Sequence, residues 1–118
     1  MLAASLRADM ADIEPFMEAL ADKLSGSLPG RVRVERRRAG LRGPKRVRRI
    51  VVELDDCRPE VELADGAVEA TWTRVSGGIA LKHERLDFDH WLGRLSECLA
   101  AEARRSQRTR EALRRLLT

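Results

Sequence analysis

The stretch from Arg31 to Leu54, RVRVERRRAGLRGPKRVRRIVVEL, constrains the fold more than any other part of the chain. Val32 and Val34 alternate with Arg31 and Arg33, and Ile50, Val52 and Leu54 alternate with Arg49, Val51 and Glu53. A period of two places apolar side chains on one face of a strand, so both ends read as strands with one buried face. Between them, Ala-Gly-Leu-Arg-Gly-Pro supplies two glycines and a proline, which break a helix or a central strand. The reading is a long hairpin with a basic tip. It holds ten of the 23 Lys and Arg residues (Arg31, Arg33, Arg36, Arg37, Arg38, Arg42, Lys45, Arg46, Arg48 and Arg49), against a single acid before the final strand end, Glu35.

The flanking sequence supplies elements that could cover such a hairpin. Leu2, Leu6, Met10, Ile13, Phe16, Met17, Leu20 and Leu24 recur every three or four residues, the stripe of an amphipathic helix. Pro15 is tolerated only in a first turn, so Asp12 is expected to cap a helix running to about Lys23, with Gly26 as its stop and residues 1–11 as a kinked extension or mobile tail. After the hairpin, Asp55 to Pro59 reads as a turn. Val61–Leu63 and Ala67–Val75 flank an Asp65-Gly66 hairpin signal, and Ser76-Gly77-Gly78 turns the chain into Ile79–Leu86. Val68, Ala70 and Trp72 share one face, Thr71, Thr73 and Glu69 look outward, and His83 is expected half-buried beside Ile79 and Leu81. Phe88, Trp91, Leu92, Leu95, Cys98, Leu99 and Ala103 then form a second helical stripe, capped by Asp87 or Asp89. Leu113, Leu116 and Leu117 resume it after the polar run RRSQRTRE.

We therefore expect one α+β domain over residues 1–118: an N-terminal helix, a four- or five-stranded antiparallel meander with the long basic hairpin, and a long C-terminal helix packed on one sheet face. A helix from Phe88 to Leu117 would be about 45 Å long at 1.5 Å per residue, so residues 104–118 are expected to overhang the domain. A hydrophobic fraction of 43% suffices for a core, which with two Phe, two Trp and no Tyr must be mostly aliphatic.

Charge narrows the classes of partner. The net +4 conceals a +9 balance over Arg31–Arg49 and +5 over Arg104–Arg115, leaving seven bases against 17 acids elsewhere. A basic end can meet phosphates, anionic lipid, an acidic protein or the acidic part of a second copy. No secretory signal or membrane-spanning run is visible, and two cysteines without a signal suit free thiols, so a cytoplasmic protein is expected.

The sequence offers little chemistry. Cys57, His83, His90 and Cys98 carry zinc-binding atoms at spacings that fit no structural zinc site, and Glu53, Asp55 and Asp56 do not match a calcium loop, so no metal or cofactor is expected. The serines sit in no nucleophile-elbow pattern, and two helical turns separate His90 from Cys98, too far for a nucleophile and its base. No catalytic residue is assigned. The favoured reading is a non-enzymatic adaptor or scaffold that self-associates or docks into a larger protein assembly. Its binding residues are Arg36, Arg37, Arg38, Arg42, Lys45, Arg46, Arg48 and Arg49 of the hairpin, with Leu113, Leu116 and Leu117 at the interface. The alternative is nucleic-acid binding through the same arginines, which lack interleaved aromatics for base stacking. An anionic membrane surface is disfavoured because Leu41 is the tip's one apolar anchor.

Overall fold

The structure, a computed structural model, describes residues 10–38, 41–64 and 67–117, with side chains from residue 13 onward. Leu2, Leu6, the side chains of Met10 and Asp12, and the Asp65-Gly66 turn lie outside the described residues. Helix α1 (Met10–Ser27) leads into strands β1 (Val32–Arg38), β2 (Lys45–Val52), β3 (Cys57–Ala64), β4 (Ala67–Ser76) and β5 (Ile79–Leu86), followed by helix α2 (Phe88–Leu117). The strands form one open antiparallel sheet in sequence order, β1-β2-β3-β4-β5, and both helices pack on one face of it.

That face follows from the side-chain period. Val34, Ile50, Val61, Ala70 and Leu86 lie in one cross-strand row, and Val32, Val52, Trp72 and Pro59 contribute to the next. Ile13, Met17, Ala21 and Leu24 of α1 close over the β1–β2 side, while Trp91 and Leu95 of α2 close over the other. Trp91 is fully buried and donates from Nε1 to the Thr71 carbonyl at 3.1 Å, which satisfies its one polar atom. Phe16 and Phe88 meet edge to face at 5.8 Å where the helices begin. Arg31, just past α1, reaches Glu102 of α2 at 3.5 Å. The two helices therefore run side by side in the same direction.

Several boundaries differ from those expected. Helix α1 starts before Asp12 and contains Pro15, losing one backbone bond that the burial of Ile13 and Met17 on either side offsets, at roughly 1.5 to 3 kcal/mol for each fully buried side chain. It runs past Gly26 and stops at Leu28-Pro29-Gly30, where Gly30 takes φ +79°. The expected turn at Asp55–Pro59 is shorter, because β3 begins at Cys57 and Pro59 lies inside it. Proline is tolerated there because the β2–β3 ladder ends one residue earlier, at Val51 opposite Glu60. The Gly77-Gly78 turn has φ +57° and +81°, the two positive values that a tight two-residue hairpin requires.

The face away from the helices is open to solvent yet buries Val51 and Thr73, both expected to face outward. Val51 is flanked by Arg33 and Glu60 on neighbouring strands, and Thr73 by Arg58 and His83, so long polar side chains cover them with their stems. His83 itself is exposed rather than half-buried, as are Ile79 and Leu81, because β5 is the sheet edge and bulges at Leu81.

Candidate functional site

The hairpin arginines are not one uniform patch. The β1–β2 ladder contains a bulge at Arg48, where the register passes from Glu35 opposite Arg49 to Arg36 opposite Val47. Next to this bulge, Glu18 of α1 accepts the Val47 N–H at 2.6 Å and a bond from Arg36 Nη1 at 2.7 Å. The Arg36 guanidinium and the Val47 amide hold the Glu18 carboxyl below its usual range. One turn earlier, Glu14 lies 3.4 Å from Arg46. Two of the eight expected binding residues, Arg36 and Arg46, thus tie the hairpin to α1.

Arg49 is also engaged. It is hydrogen-bonded to Glu60 and, at 2.8 Å, to Glu35 on the open face, and these carboxylates, Glu60 foremost, raise its pKa. Arg48, at the bulge, is half-buried with its Nε unpartnered. Four residues remain: Arg37, Arg38, Arg42 and Lys45 are exposed and meet no carboxylate among the described residues. Register places Arg37 opposite Arg46 and Arg38 opposite Lys45. Like charges directly opposite on adjacent strands are destabilising, so the tip concentrates uncompensated positive charge.

The second expected surface lies at the other end of the molecule. Every described residue of α2 from Ala103 onward is exposed, and Leu113, Leu116 and Leu117 are 53%, 82% and 86% accessible. Fifteen residues at 1.5 Å each project about 22 Å beyond the sheet, in keeping with a longest extent of 57 Å and a radius of gyration of 16.5 Å, against about 13.5 Å for a compact chain of this length. Positions 92, 95, 99, 102, 106, 109, 113 and 116 recur at alternating three- and four-residue spacing, so Leu113 and Leu116 are in phase with the packed Leu92, Leu95 and Leu99.

Carboxylates gather where the overhang leaves the body. Glu102 binds Arg31 and Arg105, and Asp55 lies 3.6 Å from Arg31. Nearby, Asp56, Cys57 and Cys98 line a cleft of about 420 Å³ between α2 and strands β3 to β5. Burial pushes the Cys57 thiol up to about 12 and also raises Cys98, with which it is in contact, so neither is an activated nucleophile. His83 is bonded to Thr73 Oγ1 at 2.9 Å on the open face and His90 is exposed on α2. The four zinc-type residues are therefore not brought together, and no group of three His, Cys, Asp or Glu converges among the described residues. No described helix is long and apolar enough to cross a membrane.

Sequence reasoning missed Glu14 and Glu18, although their spacing of four and their places beside Ile13 and Met17 put them together at the edge of the apolar stripe. Comparison with protein-family models, with curated proteins and with solved structures gives no match.

Proposed function

We propose that this protein is a non-enzymatic adaptor that self-associates through the overhanging half of α2. The observation that supports this reading is a helical seam that continues beyond its own sheet and ends in three exposed leucines. A second copy is the partner that fits. Antiparallel pairing of two overhangs sets Leu116 of one against Leu99 of the other, with Thr109 against Ser106 between them. It also carries Arg110, Arg114 and Arg115 of each copy toward Glu102 and Asp55 at the root of the other. Opposite potentials at the two ends of the contact select the antiparallel arrangement.

Sedimentation equilibrium across micromolar concentrations tests this reading with the wild type and a Leu113→Ser, Leu116→Ser, Leu117→Ser variant. A wild-type dimer that becomes monomeric in the variant at unchanged melting temperature is expected. A wild-type monomer at all concentrations refutes self-association.

A second reading rests on a different observation, the two like-charged cross-strand pairs at the hairpin tip. Phosphates of a nucleic acid would neutralise Arg37, Arg38, Arg42 and Lys45, and binding would then weaken with salt at a log-log slope of about −0.9 per phosphate contacted on duplex DNA. Submicromolar affinity at physiological salt, lost when these four residues become Ser while the oligomeric state is unchanged, would favour this reading over the first.

A further inference from the structure

The cleft beside α2 contains a charge arrangement that neither proposed surface uses. Arg74 of β4 and Lys82 of β5 are directly opposite in the ladder, two residues along from the Trp72–Glu84 pair, so all four side chains emerge on the helix-bearing face. Among the described residues no carboxylate lies within ion-pairing distance of either Arg74 or Lys82. Arg94 of α2 leans over from the other wall. Its guanidinium stacks 4.8 Å above the Trp72 ring and donates from Nη1 to Glu84 at 3.2 Å. A guanidinium has five N–H donors, and this contact uses one of them.

We propose that this cleft is a binding site for a phosphate group, held by Arg74, Lys82 and Arg94. Two cations placed opposite one another repel when the site is empty and attract an anion lodged between them. The Trp72 ring and the Glu84 carboxylate fix the Arg94 plane, so its free donors are oriented before a ligand arrives. The volume of about 420 Å³ is at the small end of the range for small-molecule sites and exceeds a bare phosphate, leaving room for the body of a monoester. Asp56 lines the same cleft and selects within the anion class. Its carboxylate accepts a hydrogen bond from the O–H of a hydrogen phosphate or a hydroxylated ester. Sulfate is fully ionised at neutral pH, has no such donor, and is repelled.

Titration of the intact protein with inorganic phosphate, glycerol 3-phosphate and sulfate at constant ionic strength tests the site, read by Trp fluorescence and by melting temperature. Saturable binding of phosphate or the monoester, with a rise in melting temperature, is expected. Tighter binding of inorganic phosphate identifies the free ion as the ligand, and tighter binding of glycerol 3-phosphate identifies a phosphorylated small molecule. The Arg74→Gln, Lys82→Gln variant is expected to weaken binding at least about tenfold, in line with the loss of charge-assisted bonds. In anion-free buffer it is expected to melt no lower than the wild type, because the facing cations are gone. No saturable binding by either phosphate probe, or equal binding by the variant, overturns the site. Sulfate binding as tight as phosphate overturns the selectivity assigned to Asp56.

Discussion

Glu18 is the test of how the basic hairpin is held to the body. Its carboxylate serves two donors: the Val47 amide, which sits next to the Arg48 bulge, and the Arg36 guanidinium. Glu18→Gln keeps an acceptor for the amide and removes the charge. The lost ion pair is solvent-exposed on both sides, so the cost is at most about 1 kcal/mol. Glu18→Ala removes the acceptor as well and leaves a part-buried N–H without a partner, which costs about 1 to 3 kcal/mol. For a chain of this length, 1 kcal/mol corresponds to about 4 °C in melting temperature. Thermal unfolding at pH 7 should therefore order the proteins as wild type, Gln, Ala. The pH dependence has a definite sign. A carboxyl whose folded pKa lies below its usual value contributes stability above that value and loses it as the pH falls through the folded pKa. The gap between wild type and Gln should consequently close as the pH is lowered below 4.5, the ordinary Glu value. Equal stability of all three proteins at pH 7, or a gap that widens in acid, would refute the clamp.

Two further outcomes follow from burial. Trp91→Ala and Trp72→Ala should each lower stability by about 3 to 5 kcal/mol in urea unfolding, since both side chains are buried; wild-type stability in both would show that they are surface contacts. Native protein treated with iodoacetamide at pH 8 should leave Cys57 unmodified in peptide mass spectra, because burial holds its thiol near 12, and unfolding in urea should expose it. Rapid modification of Cys57 in the folded protein would contradict that burial.

The apolar periodicities carried most of the architecture. Val32/Val34, Val68/Ala70/Trp72 and the stripe from Phe88 to Leu99 each have one buried face, and the sheet and helices assemble those faces into one core. Sequence pattern failed where a side chain's fate depends on its neighbours across the ladder. Val51 alternates with core residues and reads as exposed, yet it is buried because Arg33 and Glu60 come to lie on either side of it. His83 reads as half-buried, but β5 has no strand beyond it. The hairpin shows the same limit. Ten bases in 24 residues are evident in the sequence, whereas their division depends on α1, which answers Arg36 and Arg46 and leaves the tip unanswered. The Arg74–Lys82 pair was equally hidden, since eight positions separate the two residues and only the register across the β4–β5 turn and the bulge at Leu81 brings them face to face.

These facing cations allow one substitution to separate stability from function. Lys45 is directly opposite Arg38 at the exposed end of the hairpin. Lys45→Glu replaces a like-charged pair with an opposite-charged one, a change of about 0.2 to 1 kcal/mol in the favourable direction, or up to about 4 °C in melting temperature. It also removes two units of positive charge from the tip. If Arg38 and Lys45 are arranged for an anionic partner, the variant should be more stable and should bind that partner less well, with a flatter salt dependence on duplex DNA. If the tip has no partner, stability should rise with no loss of any binding, and the oligomeric state should be unchanged. A variant that melts lower than wild type would remove the premise of both outcomes, because the facing charges would then not oppose folding.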